Sequence, residues 1–146
     1  MSLYMVLVNG LTRFTGVGVP VVQAKGRATG QVAAVASLAV FTVGALDGTF
    51  DIAANVLVTT ATTHAFTVEC AYTDEGNTAR TATLTFELVG ASAVTSIANA
   101  TGTVPYQGLT HRIRAKAATT ITLRTQAAGT YTTVVYNIDG TITQVA

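Results

Sequence analysis

The sequence predicts an all-β protein, an antiparallel two-sheet sandwich of the jelly-roll type with an extended N-terminal arm. First, Thr, Ala and Val number 28, 24 and 19 of the 146 residues, and both Thr and Val favour strands. Second, apolar and polar side chains alternate with a period of two from residue 38 onward, which is typical of strands with one buried face. Third, Gly beside Asp, Asn or Ala separates the alternating runs, as turns between antiparallel strands require.

Eight strands follow in order, near residues 38–44, 49–59, 64–73, 80–89, 93–98, 109–117, 119–126 and 130–145. Alternate positions predicted to face the core are Phe50, Ile52, Ala54, Val56 and Val58 in the second strand, Phe66, Val68, Cys70 and Tyr72 in the third, Leu84, Phe86 and Leu88 in the fourth, Ile113, Ala115 and Ala117 in the sixth, and Ile121 and Leu123 in the seventh. The last strand is left open, because Asp139-Gly140 fits either a tight hairpin or a bulge in one long strand. A jelly roll is favoured over an immunoglobulin fold, since the chain has no Trp and one Cys.

Residues 1–36 are assigned to the arm and residues 37–146 to the sandwich. Five glycines and one proline interrupt the first segment, at Gly10, Gly16, Gly18, Pro20, Gly26 and Gly30, and this suits an extended segment better than a packed one. The alternative is a set of edge strands that belong to the same domain. Because such a segment cannot bury its own valines, we expect a neighbouring subunit to contact Val17, Val19, Val21 and Val22.

Composition restricts the partners. Charged residues make up 10% of the chain and its mean hydropathy is +0.48, whereas a soluble domain carries about 25% charged residues. Partner subunits or a membrane must therefore cover much of the surface. Residues 28–46 carry no charge, but they are too weakly apolar for a spanning helix. We expect no membrane partner, and the net charge of +1 argues against nucleic acid.

Few residues are suited to catalysis or metal binding. His64 and His111 stand in no metal-ligand motif and have no carboxylate at motif spacing. Cys70 falls on the apolar side of its strand, which predicts a buried, inert thiol. Residues 74–77 predict a solvated hairpin loop, because the EF-hand spacing for Ca²⁺ is missing. We therefore expect no enzyme, no metal and no cofactor; a small hydrolase or metal enzyme would need a convergent His–carboxylate site.

One charge pattern suggests an interface. Arg112, Arg114 and Lys116 occupy alternate positions of one predicted strand and form a basic row, which Arg124 on the next strand would extend. Three interpretations stay open. The row is a solvated face that blocks edge-to-edge aggregation, a subunit interface that meets carboxylates of a neighbour, or a contact for phosphate or nucleic acid.

Two stretches carry a family resemblance. Residues 71–80 read AYTDEGNTAR, and residues 113–138 contain the pieces IRAKA, TITLRT and VVYNI. Both resemble segments of virion proteins of tailed bacteriophages and prophages, and the similarity extends over residues 35–146. The resemblance implies a β-sandwich structural protein that is often multimeric and has no catalytic motif.

The first functional hypothesis is therefore a capsid decoration or cement protein on the virion surface. It would bind the major capsid protein, bridge and stabilise its subunits, and associate with itself as a homotrimer. The arm valines and the basic row would make these contacts. The alternative is a tail or fibre module that binds a host receptor, such as a glycan, through the loop at residues 74–77.

Overall fold

The fold consists of strands and loops in a computed structural model that describes residues 5–8, 11–14, 20–60, 63–88, 92–98, 102–132 and 134–145. Within these ranges there are thirteen strands: β1 Met5–Val8, β2 Leu11–Phe14, β3 Val21–Gln31, β4 Ala39–Thr42, β5 Gly48–Thr60, β6 Thr63–Thr73, β7 Ala79–Thr83, β8 Phe86–Glu87, β9 Ile97–Ala98, β10 Val104–Gly108, β11 His111–Ala115, β12 Thr120–Thr132 and β13 Val135–Gln144. No helix in the part of the chain described is long and apolar enough to cross a membrane.

Two antiparallel sheets form a sandwich, which confirms the predicted fold class. The larger sheet has the order β3-β13-β5-β10-β8, and β11 pairs with β5 beyond the end of β10. The smaller sheet has the order β4-β12-β6-β7, and β9 also pairs with β6. Most long strands alternate between the two sheets along the chain. The last strand, β13, lies between β3 and β5 in the larger sheet. This strand order is that of a jelly roll. The strands β1 and β2 pair with each other in a separate two-stranded sheet.

The core lies between the two sheets and is made by the inward side chains of the alternating strands. Phe50, Phe66, Phe86 and Tyr136 are fully buried. Phe66 of the smaller sheet stacks on Tyr136 of the larger one, with ring centroids 4.6 Å apart. Burial of each such side chain contributes about 1.5–3 kcal/mol to stability. The apolar residues that alternate along the sequence are therefore also the main source of the stability of the sandwich.

The strand β3 differs from the predicted arm. Residues 21–31 pair with β13 along their length and form an edge of the larger sheet, so the edge-strand alternative holds for this stretch. The physical reason is visible at Gly26, where a Cβ would overlap the carbonyl oxygen of Leu38. Gly26 therefore permits a close approach of two backbone segments instead of providing flexibility. The arm stays a prediction for the residues before Pro20, most of which lie outside the described ranges.

The C-terminal strand resolves the ambiguity at Asp139-Gly140. Both residues lie inside β13, which pairs continuously with β5 on one side and with β3 on the other. The hairpin interpretation is therefore wrong, and the strand is one long element. Its register irregularities against β3 lie elsewhere, between Tyr136 and Ile138 and between Ile142 and Thr143.

Candidate functional site

The valines predicted to contact a neighbour lie at the start of the chain. Val17 and Val19 are outside the described residues. Val21 and Val22 begin β3 and have exposed fractions of 51% and 49%, opposite Gln144 and Thr143 of β13. Among the described residues, β3 has β13 as its only paired strand. An edge strand with exposed apolar side chains is a site where another chain can add.

The basic row lies on β11 and just beyond it, and acidic or amide groups of the same chain meet it. Arg112 binds Asp51 of β5 through two hydrogen bonds, with Nε–Oδ1 at 2.7 Å and Nη2–Oδ2 at 2.9 Å. The bond from Arg112 holds the pKa of Asp51 below its usual range. Arg114 forms an ion pair with Glu75 at 2.6 Å. These pairs are exposed to solvent, so each contributes about 0–1 kcal/mol.

The loop at residues 74–78 is held in place by its own contacts. Asp74 accepts hydrogen bonds from the Thr78 N–H at 2.8 Å and from Arg80 Nε at 2.6 Å, and these two donors lower its pKa. Lys116 Nζ donates to Asn77 Oδ1 at 2.9 Å. The loop therefore packs against the end of the basic row, and its polar side chains bind groups of the same chain.

Arg124 does not extend the basic row. It lies on β12 in the smaller sheet, opposite Glu69 of β6, and its Nη2 is 3.2 Å from Glu69 Oε2. The sequence expectation failed here because β11 and β12, although consecutive in the chain, belong to different sheets.

Of the residues considered for catalysis, Cys70 and His64 are buried, and His111 is partly buried at the start of β11. Cys70 is in the core, and burial raises the pKa of its thiol to about 12, so the thiol stays protonated. His64 is also buried, and desolvation lowers its pKa. In the described ranges, no group of three His, Cys, Asp or Glu side chains is placed to hold a metal ion.

A groove with a volume of about 830 Å³ crosses the outer face of the larger sheet. Five exposed polar side chains line it, one from each of the strands β3, β13, β5, β10 and β8: Arg27, Asp139, Asn55, Gln107 and Glu87. Strand register aligns them, since Arg27 faces Asp139, Asp139 faces Asn55, Asn55 faces Gln107 and Gln107 faces Glu87. We call this set the polar row.

An apolar strip lies beside the polar row. Leu57 and Pro105 face each other on β5 and β10, and Leu88 follows β8. Sequence reasoning missed this site, because its residues are spread from position 27 to position 139. Each of the five strands does carry a polar residue at an outward position. The alignment of these residues, however, depends on the register between strands, which the sequence does not reveal.

No protein-family model matches the sequence, and no curated protein matches it. One similar structure is the CBM22-1–GH10 portion of Clostridium thermocellum xylanase 10B complexed with xylohexaose, with 12% identity and a TM-score of 0.34 over 74% of this chain and 19% of that chain. Another is infectious bursal disease virus, Gx strain, with 8% identity and a TM-score of 0.30 over 97% of this chain and 44% of that chain. The chain thus spans less than half the length of either.

Proposed function

We propose that this chain is a structural protein of a virion, a capsid decoration or cement protein that bridges and stabilises major capsid subunits. The observation that carries the proposal is the outer edge of β3, which no other described strand pairs with and where Val21 and Val22 are half exposed in a chain that has few charges. A jelly roll is one of the folds used by viral capsid proteins, which supports the proposal by analogy alone.

The proposed mechanism is mechanical. Addition of a neighbouring strand to β3 would pair its backbone groups and bury the remaining exposed parts of the two valines, which contributes about 1 kcal/mol for each valine. Such contacts are weak singly, but repetition over a homotrimer and over a capsid surface multiplies them. Residues 1–19 would add the clamp between adjacent subunits. Binding that occurs in the assembled particle alone stabilises that particle by mass action.

The proposal is for a non-enzymatic protein whose partners are copies of itself and the major capsid protein on the virion surface. The low charge and the resemblance to tailed-phage virion proteins support it. The basic row contributes less to this proposal than the β3 edge does, because Asp51 and Glu75 already pair with two of its members.

Light scattering on the full chain tests self-association. We expect a trimer, and we expect the double variant V21K/V22K to be a monomer, because charged side chains on an edge strand oppose pairing. Val40→Lys is the matched control, since Val40 is also 49% exposed but lies on β4 of the smaller sheet. A monomeric wild-type chain, or equal effects of both changes, would refute the edge as the assembly surface.

Co-sedimentation with shells of the major capsid protein tests the capsid partner. The deletion should remove residues 1–19 and no more, because removal of residues 1–36 would also delete β3. Wild-type chain should bind the shells and raise their melting temperature, and the truncated chain should lose this binding while it keeps its fold. Full occupancy by the truncated chain would refute the clamp.

The groove favours a second candidate, a tail or fibre module that binds a host receptor. The loop at residues 74–77 contributes little to this candidate, because Asp74, Glu75 and Asn77 contact Arg80, Arg114 and Lys116 of the same chain. Adsorption of particles to host cells distinguishes the candidates. Groove variants that lower adsorption and leave particle stability unchanged would favour the receptor module.

A further inference from the structure

We infer that the groove on the larger sheet binds an extended, neutral and hydroxyl-rich ligand, an oligosaccharide, along the polar row. The inference concerns what this surface recognises and holds whether or not the chain is part of a virion. The five side chains stand on five neighbouring strands, and strand spacing makes the row about 19 Å long.

The donors and acceptors of the row suit hydroxyl groups. Asn55 and Gln107 each offer an amide that both donates and accepts, Asp139 and Glu87 accept, and Arg27 donates. A hydroxyl group also donates and accepts, so a chain of hydroxyl-bearing units can match the row at every strand. All five side chains are exposed at outward positions, and their polar groups are accessible to a ligand.

Charge excludes the polyanionic alternatives. The row holds one cation and two carboxylates, which gives a formal charge of −1. Phosphate or sulfate groups would meet Asp139 and Glu87 at close range, and phosphate-binding surfaces need an excess of Lys and Arg. A neutral ligand avoids these contacts, whereas a polyanion cannot.

The apolar strip supplies the second half of the recognition. A sugar ring has hydroxyl groups at its edge and C–H groups on its face. Leu57 and Pro105 face each other beside the polar row, so a ring can lie on them while its hydroxyls reach Asn55 and Gln107. Mostly apolar walls with a few placed polar groups are typical of small-molecule sites.

A peptide fits this surface poorly. An extended peptide gains affinity by pairing its backbone with a free sheet edge, whereas the groove lies on the face of the sheet. On that face the backbone groups of β5 and β13 already pair with neighbouring strands. Peptide N–H and C=O groups laid across the face would lose water without regular partners.

The site is organised before a ligand arrives. Asn55 Nδ2 donates a hydrogen bond to Asp139 Oδ2 at 3.2 Å. This bond occupies one amide hydrogen of Asn55 and one lone pair of Asp139, so both side chains can still form hydrogen bonds with a ligand. Asn137 Oδ1 accepts from the Gly30 N–H at 2.8 Å and ties β3 to β13 at the end of the groove. Side chains mounted on paired strands lose little freedom on binding.

The test is an NMR titration of the ¹⁵N-labelled full chain with four probes: cellohexaose, xylohexaose, maltohexaose and a heparin hexasaccharide. At least one neutral hexasaccharide should bind with a Kd of about 1 mM or tighter, with shifts centred on β5, β10 and β13. Asn55→Ala and Gln107→Ala should each weaken binding about tenfold, the value of one or two hydrogen bonds.

Gln126→Ala is the matched control, because Gln126 is an exposed glutamine on a strand of the other sheet. It should leave binding unchanged, and the spectra themselves report whether each variant is folded. The inference is overturned if no neutral hexasaccharide shifts the spectrum at about 10 mM, a concentration that would saturate a site of the expected affinity. Shifts outside the groove, affinity that Asn55→Ala and Gln107→Ala leave unchanged, or preference for heparin would also overturn it. None of these results bears on capsid binding or on self-association through β3.

Discussion

The Tyr136 hydroxyl joins three parts of the sandwich, and its removal tests how the crossover before β4 is anchored. Tyr136 is fully buried on β13 and its hydroxyl donates to the Ala33 carbonyl at 2.7 Å. The same oxygen lies 3.0 Å from Thr125 Oγ1, which accepts from the Val35 N–H at 2.7 Å. Tyr136 and Thr125 thus hold the segment that carries the chain from the larger sheet to the smaller one.

Tyr136→Phe keeps the ring and its stacking on Phe66 but deletes the oxygen. The Thr125 hydroxyl then loses its acceptor in a buried site, and the Ala33 carbonyl loses its donor. An unsatisfied buried polar group costs about 1–3 kcal/mol. Because Thr125 is buried whereas Ala33 is an exposed residue, we expect a loss of about 2 kcal/mol, dominated by Thr125. For a chain of this length that loss lowers the melting temperature by about 4–8 °C.

Urea unfolding followed by circular dichroism measures the change, with a lower midpoint and an unchanged m value as the expected result. Thr125→Val and the double variant complete a cycle, in which we expect a coupling energy of about 1 kcal/mol. Thr141→Val, on the outer side of β13, is the control and should change stability by less than about 0.5 kcal/mol. A Tyr136→Phe variant as stable as wild type, or no coupling with Thr125, would show that this network does not anchor the crossover.

Three further predictions concern packing, pH and charge. Gly26→Ala should lower the free energy of unfolding in urea by about 3 kcal/mol, because the added methyl group would meet the backbone of Leu38. Gly44→Ala is the control and should be close to neutral, because a methyl group at Gly44 would have no atom within 4 Å. Equal stability of the two variants would contradict this account. Burial lowers the pKa of His64 below its ordinary value of 6.5, so the unfolded chain takes up a proton at a higher pH than the folded chain does. Stability should therefore fall as the pH drops below 6.5, by up to about 1.4 kcal/mol per pH unit. Urea midpoints measured at several pH values should lose this pH dependence in His64→Phe, and an unchanged dependence would assign it to another group. Arg114→Ala should lower the free energy of unfolding by less than about 1 kcal/mol, and this difference from wild type should vanish in about 1 M NaCl. A difference that persists in salt would mean that Arg114 acts through packing.

The sequence predicted the central strands well because burial on one face imposes a period of two. The strands β5 and β6 have buried residues at every second position, as in Phe50, Ile52 and Ala54, and the predicted bounds of 49–59 and 64–73 differ from the observed ones by one residue. Apart from the buried His64, local strand preference and tertiary burial agree in these segments, and such consistency makes a strand predictable.

Besides β1 and β2, two strands of the larger sheet, β3 and β10, were missed for identifiable physical reasons. β3 contains Gly26 and Gly30, and glycine in a sequence indicates flexibility unless the packing is known. β10 contains Pro105, which argues against a central strand. It is tolerated because β8 pairs only with Gln107 and Gly108, so that no described strand pairs with β10 on that side at Pro105. The polar row was beyond prediction for a related reason, since it is created by the register of five strands rather than by any one of them.

The basic row shows how a pattern read correctly from the sequence can change its meaning in the fold. Arg112, Arg114 and Lys116 do share one side of the chain, but Asp51, Glu75 and Asn77 meet them from β5 and from the loop at residues 74–78. A carboxylate from a neighbouring subunit would have to compete with these partners, and it would bring its own cost of ordering. Exposed charge pairs of this kind set orientation and association rate more than affinity. Assembly would therefore gain little affinity from the basic row, whereas Val21 and Val22 on β3, at the other edge of the same sheet, offer apolar contact.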